Sequence, residues 1–233
     1  MTGILYAVGV GPGDPELMTL KAVKILKKCP VVAIPHADRD RCTAYQIAVQ
    51  AVPEAKEKPV VCVEMPMTKE PDILKKAHED GAKRLIMELE KGNDVALLTL
   101  GDATVYASSM YLVKQVQDSG YQTEIINGVP SFCAAAAQLG ISLGEQSEAI
   151  HIFPGSYGVE TGLELSGVKV IMKSGKAYPQ MVKNIRECGL SAAMAENCSM
   201  KEQKLYKSAE EFPEHAGYYT LMIVRDSKKE EER

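Results

Sequence analysis

Ile4-Leu5-Tyr6-Ala7-Val8-Gly9-Val10-Gly11-Pro12-Gly13-Asp14 opens the chain with an apolar run that breaks into a glycine loop. Residues 4–10 read as a buried strand, and a helix is expected over Thr19–Lys28 with Leu20, Val23 and Leu26 on its inner face. Pro30 then opens Val31-Val32-Ala33-Ile34, a second all-apolar strand, and Pro35 ends it by removing the next backbone donor. Strand, glycine turn, helix and strand in that order begin a βαβ series, so the fold class is α/β with a mainly parallel sheet.

The same alternation continues downstream. Pro71–Lys91 is a long amphipathic helix rich in Lys and Glu, and Gly92-Asn93 supplies residues that tolerate a left-handed exit. Asp94–Leu98 reads as a buried strand, Ser108–Ser119 as a helix stopped by Gly120, and Glu124–Ile126 as a further strand. A small-residue helix over Ser131–Leu139 restarts the pattern, and the domain junction falls just ahead of it. Strands are expected at Ile150–Phe153, Val168–Met172, Ala192–Ala195 and Tyr218–Val224. Ser156–Gly167 reads as a mobile loop and Ser227–Arg233 as a fraying end; no internal repeat is visible.

Composition bounds the function. The chain has 233 residues, 45% hydrophobic and 25% charged, with a net charge of −4, and so lacks the basic field that draws a protein onto nucleic acid. No stretch is apolar enough to span a bilayer, and Met1–Tyr6 shows no cationic segment before a long apolar run, which points to the cytoplasm. The six cysteines form no C-x-x-C pair and read as reduced packing residues. His78 reads as a helix-surface residue and His151 as one packed in a core; no two histidines have metal-ligand spacing on one helix.

Three glycine-bearing segments sit at strand ends. Gly9–Asp14 is not a dinucleotide fingerprint: its third glycine comes one residue early, and Pro12 and Pro15 lack donors that a pyrophosphate cradle would use. It reads either as a plain tight turn or as a loop whose glycines admit close contact with a ligand. Gly101-Asp102-Ala103-Thr104-Val105-Tyr106 lies at the carboxyl end of a buried strand, where α/β sheets bind ligands, and Asp102 alternatively caps the next helix. In Gly128-Val129-Pro130-Ser131-Phe132, Ser131 either caps a helix or faces a small polar ligand.

Taken together and in order, these segments, with Leu17, Thr19, Lys21 and Ala22, resemble the tetrapyrrole methylase family, two-domain methyltransferases that use S-adenosylmethionine, almost end to end. The finer resemblance is to the branch that methylates C-20 of cobalt-factor II or precorrin-2 in cobalamin biosynthesis. It is carried by residues 98–102, Tyr106 with Met110-Tyr111-Leu112, and residues 128–137, 170–176 and 218–221. Ala103 and Asn127 stand where the family usually has proline.

The resemblance implies two α/β domains, 1–128 with the glycine loop, the tetrapyrrole side and part of the cofactor site, and 129–233 with the rest of that site. It implies an active site in the trough between them and a homodimer. S-adenosylmethionine, leaving as S-adenosylhomocysteine, would be held by Pro12, Gly101, Asp102, Val105, Ser131, Phe132, Met172, Ala195 and Thr220. Gly11, Gly13 and Asp14 would face the tetrapyrrole.

A sulfonium methyl is already electrophilic, so such a protein mainly aligns donor and acceptor and excludes water. The acceptor carbon must lose a proton, for which Asp14, Asp102 and Tyr106 are candidates. The carboxylates of the macrocycle need local donors: His36, Arg39 and Arg41 follow the second strand, and Lys173 and Lys176 a later one. A metal would arrive inside the substrate. The competing readings are the same chemistry on another acceptor, either a different corrin carbon or the modified histidine of the family's diphthine branch, both of which Met172-Lys173-Ser174-Gly175 speaks against, and a nucleotide-binding regulator without catalysis.

Overall fold

The structure is a computed structural model that describes residues 1–155 and 162–226. It divides into two compact units, Met1–Pro130 and Ser131–Arg233.

In the first unit β1 (Leu5–Gly9), β2 (Val31–Ile34), β3 (Val60–Cys62), β4 (Val95–Thr99) and β5 (Thr123–Ile126) form a parallel sheet in the order β3-β2-β4-β1-β5. Four helices, α1 (Leu20–Lys28), α2 (Thr43–Ala51), α3 (Pro71–Glu90) and α4 (Ser109–Asp118), cover it. Successive strand residues point to opposite faces. Thus Tyr6, Val8, Val32 and Ile34 pack with Leu26, Ile47 and Ala48, while Leu5, Ala7, Ala33 and Leu97 pack with Leu85, Leu89, Leu112 and Val116. Burial on both faces is why β1, β2 and β4 are nearly unbroken apolar runs. Because the strands run parallel, all five carboxyl ends emerge along one edge.

On α1 the inner face differs from the expected one: Leu20 is 79% exposed, whereas Ala22 and Leu26 are fully buried. Leu20 lies about 200° around the helix from Ala22. Thr19 accepts the Ala22 N–H and fixes the start of the helix.

The second unit contains α5 (Ser131–Leu139), β6 (Ile150–Pro154), β7 (Val168–Met172), α6 (Tyr178–Glu187), β8 (Ser191–Glu196), β9 (Lys204–Tyr206) and β10 (Thr220–Arg225). Its sheet order is β6-β7-β10-β8-β9, and only the β6–β7 pair is parallel. The expectation of a mainly parallel sheet therefore holds for the first unit alone. β8 and β9 are joined by a short loop, which favours antiparallel pairing. Ile171, Met194, Met222 and Val224 pack on Tyr178, Met181, Val182 and Ile185 of α6, and α5 lies against β8 and β10. Lys169 of β7 is wholly buried and paired with Asp226 just beyond β10.

Several expectations need correction here. His151 sits half-buried on the sheet's edge strand, its Nε2 3.0 Å from the Ser166 carbonyl oxygen, and not in a core. Cys133 and Cys188 are exposed; Cys29, Cys42 and Cys198 are buried, and all six thiols are free. Tyr218 and Tyr219 precede β10 and are exposed, stacked edge to face. Half of the expected mobile loop, residues 156–161, and the expected fraying end, 227–233, lie outside the described residues, while within 162–167 Leu163 is buried in the core of the second unit.

Candidate active site

In the first unit the three glycine segments are knitted into one edge. The chain leaves β1 and turns back so that Gly11 and Gly101 exchange backbone bonds, Gly11 N–H to Gly101 O at 3.2 Å and Gly101 N–H to Gly11 O at 2.7 Å. Gly128, leaving β5, comes so close that an added Cβ would overlap the Gly101 carbonyl oxygen and lie 2.8 Å from the carbonyl carbon of Gly9. The glycines at positions 9 and 128 thus serve backbone-on-backbone contact. Gly101 differs: its φ is +73°, and an added Cβ would meet nothing within 4 Å. That open face lets a ligand come close to the backbone at this point.

Asp102 ties the edge together. Its carboxylate accepts the backbone N–H of Thr104 at 2.7 Å, the Thr104 hydroxyl, the Gly128 N–H at 2.9 Å and the Asn127 Nδ2 at 3.2 Å. It is only 5% exposed. Loss of water pushes its carboxyl up, but the bonds from Thr104, Gly128 and Asn127 outweigh this and hold it below the ordinary aspartate range. Asp102 caps no helix, since α4 begins only at Ser109. Asn127, one of the departures from the family pattern, joins this network and through its carbonyl oxygen accepts the Thr19 hydroxyl at 3.1 Å.

Around this edge the expected residues are distributed unevenly. Pro12 and Gly13 are buried, and Val105 is half-buried. Tyr106 is 43% exposed with a left-handed φ of +48°, unusual for a residue with a side chain. Asp14 accepts the Glu16 N–H at 2.8 Å through Oδ1, capping a single turn over Pro15–Leu17, and its Oδ2 is unengaged among the described residues. His36 follows β2, half-buried, with Nδ1 held 2.9 Å from the Asp38 N and 2.7 Å from its O. Arg39 and Arg41 are exposed.

In the second unit the register brings Met172, Ala195 and Thr220 to one sheet edge: Leu221 pairs with both Met172 and Ala195, and Thr220 with Glu196. Glu196, which the sequence reading passed over, is buried and fixes this edge. It accepts the Gly217 N–H at 2.7 Å and the Tyr206 hydroxyl at 3.1 Å, while Thr220 donates to the Gly217 carbonyl at 2.7 Å. Ser131 and Phe132 open α5, half-buried and buried respectively. Lys176 is exposed in the turn after β7.

Among the described residues no three His, Cys, Asp or Glu side chains gather as metal ligands, and no helix is long and apolar enough to cross a membrane.

The chain is 28% identical over 229 residues to a probable cobalt-precorrin-2 C(20)-methyltransferase of Methanocaldococcus jannaschii, covering 97% of each chain. It is 29% identical over 237 residues to a precorrin-2 C(20)-methyltransferase of Sinorhizobium sp, covering 95% of each. In fold it matches the crystal structure of a Thermus thermophilus uroporphyrin-III C-methyl transferase complexed with S-adenosylhomocysteine, with a TM-score of 0.69 at 22% identity, over 97% of this chain and 99% of that one. The model of the tetrapyrrole (corrin/porphyrin) methylases matches residues 4–212, nearly the whole chain, and the protein belongs to that family.

Proposed function

We propose that this protein transfers the methyl group of S-adenosylmethionine to C-20 of precorrin-2 or cobalt-factor II, a step of cobalamin biosynthesis. The observation that carries the reading is the near end-to-end likeness to relatives bearing that name, on a chain whose glycine edge leaves an open face at Gly101. The cofactor supplies an electrophilic methyl; S-adenosylhomocysteine leaves with the sulfur electron pair, and C-20 gives up a proton as the new carbon–carbon bond forms.

The residues have separable tasks in this reading. Pro12, Gly101, Asp102 and Val105 of the first unit and Ser131, Phe132, Met172, Ala195 and Thr220 of the second make the cofactor contacts. Asp102 acts by shaping the backbone, because its oxygens already serve four donors. Asp14 is the better placed proton acceptor, since one of its oxygens is unengaged among the described residues; Tyr106, exposed at the same strand edge, is the alternative. Gly11 and Gly13 let the loop approach the macrocycle, and His36 and Lys176 meet its carboxylates. The protein works in the cytoplasm as a homodimer, which light scattering of the purified chain would check.

Incubation with S-adenosylmethionine and each tetrapyrrole tests the activity. The expected result is a gain of one methyl mass, located at C-20 by NMR. Absence of any gain with both substrates sinks the reading, and a methyl at a different carbon replaces it with the sister reaction. Running the two substrates side by side decides between metal-free and cobalt-bearing macrocycles.

A further inference from the structure

A cavity of about 430 Å³ lies in the first unit between the exit of β3 and one face of α3. It is built into the fold. Gly81 lets α3 close over β3, because an added Cβ would overlap the Val63 side chain and fall 2.9 Å from Leu112 Cδ2. Arg84 Nη1 donates to the Cys62 carbonyl at 3.0 Å and pins the helix to the strand's end. Ala37, next to His36, lines its other side.

Position and chemistry together suggest what it holds. Neighbouring strands are about 4.8 Å apart, so β3 stands roughly 10 Å from β4 and roughly 14 Å from β1 along the same carboxyl edge. The cavity is therefore lateral to Gly101, with His36 between, at the reach of the rim of a ligand several strand spacings wide. Its walls combine apolar surface from Val63 and Ile73 with the cations Lys76 and Arg84. Lys76 has no acidic partner among the described residues, and the Cys62 carbonyl engages only one nitrogen of Arg84. Two acids also line it: Asp80 has Lys83 at 3.7 Å, and Glu64 has no cationic partner among the described residues.

We propose that this cavity seats one pyrrole edge of the macrocycle with its carboxylate arms, gripped by Lys76 and Arg84, with Glu64 limiting how many arms enter. The assignment rests on the methylation reading above. A planar ring edge fits against Val63 and Ile73, and the arms reach the two cations; carboxylate to guanidinium or ammonium is a charge-assisted bond.

The test is steady-state kinetics on Lys76→Gln, Arg84→Gln, the double variant, Glu64→Gln and, as a control on the same helix but outside the cavity, Lys75→Gln. Expected is a rise in the tetrapyrrole KM of about three- to tenfold for each cation variant and more for the double, with unchanged kcat and unchanged S-adenosylhomocysteine Kd. Glu64→Gln should lower that KM about two- to threefold, a direction that loss of structure does not produce. A double variant that melts with the wild type and keeps its KM overturns the arm site while leaving the activity intact. A wild-type protein that methylates neither tetrapyrrole overturns both together.

Discussion

The Asp102 carboxylate accepts the backbone N–H of Gly128 at 2.9 Å, so the ends of β4 and β5 are joined across β1, which lies between them. One side chain thereby ties the exits of two strands together over a third. Replacing it by Ala leaves the donors of Gly128, Asn127 and Thr104 without their acceptor, a loss of about 1–3 kcal/mol for a buried charge-assisted group. Asp102→Ala is expected to melt lower by several degrees and to weaken S-adenosylhomocysteine binding about tenfold or more, seen by calorimetric titration. The pH dependence follows from the depressed carboxyl. The contribution is present in full above the unfolded aspartate pKa of about 3.9 and is lost as pH falls through the lower folded value. The melting difference between wild type and Asp102→Ala should therefore be constant at neutral pH and vanish in strong acid; a gap that persists there would show that the carboxylate's charge is not what matters.

Much of this architecture was legible from one chain. β1, β2 and β4 announce themselves because burial on both faces leaves them no polar positions. The glycine segments stand at strand ends as the sequence indicates, but their glycines serve different ends: Gly101 keeps an open face, whereas Gly9 and Gly128 are glycine because backbone meets backbone. That contact joins residues more than a hundred positions apart, and no local pattern encodes it. α2 was missed since Ala44, Tyr45, Ile47, Ala48 and Val49 are all buried, so the helix has too little polar face to show a period. α6 carried a clear signal in Tyr178, Met181, Val182 and Ile185 that went unread. Glu196 gave no sign, as its partners Gly217 and Tyr206 come from other strands and loops.

Asp14→Asn separates the cap from the charge. The amide oxygen still accepts the Glu16 N–H, so the turn over Pro15–Leu17 survives, while the proton-accepting carboxylate is gone. On the proposed role kcat falls about a hundredfold or more with cofactor affinity preserved. Single-turnover measurement with saturating tetrapyrrole checks this, and wild-type rates in the variant would move the base to Tyr106.

His36 stands at the carboxyl end of β2, on the path from Gly101 to the lateral cavity. His36→Ala is expected to raise the tetrapyrrole KM about three- to tenfold and to leave the S-adenosylhomocysteine Kd alone. The reverse pattern, weaker cofactor and unchanged KM, would mean that the two ligands have been assigned to the wrong strand ends.

The Lys58 ammonium closes the C-terminal end of α1, donating to the carbonyls of Leu26 at 2.6 Å, Lys27 at 2.8 Å and Cys29 at 2.7 Å. These groups have no partner within a helix, and a cation there also meets the negative end of the helix dipole. Lys58→Met should cost about 1–3 kcal/mol, or roughly 2–4 °C in melting temperature for each kcal/mol, with kinetics unchanged. Lys56→Met is the matched control: its side chain is exposed, and scanning calorimetry should find it near the wild type.

Gly101 and Gly128 face each other across the same edge yet should fail in opposite ways. An alanine methyl at 101 meets no protein atom within 4 Å and costs only the left-handed backbone at φ +73°, about 1–2 kcal/mol. An alanine methyl at 128 overlaps the Gly101 carbonyl oxygen and must spread β1, β4 and β5 apart. If the open face at Gly101 receives the cofactor, Gly101→Ala keeps its fold with a modest drop in melting temperature but loses S-adenosylhomocysteine binding, because the methyl occupies ligand space. Gly128→Ala instead loses stability first and binding only as a consequence. Paired calorimetric melting and titration distinguish the two, and a Gly101→Ala protein that binds as well as the wild type would place the cofactor away from this glycine.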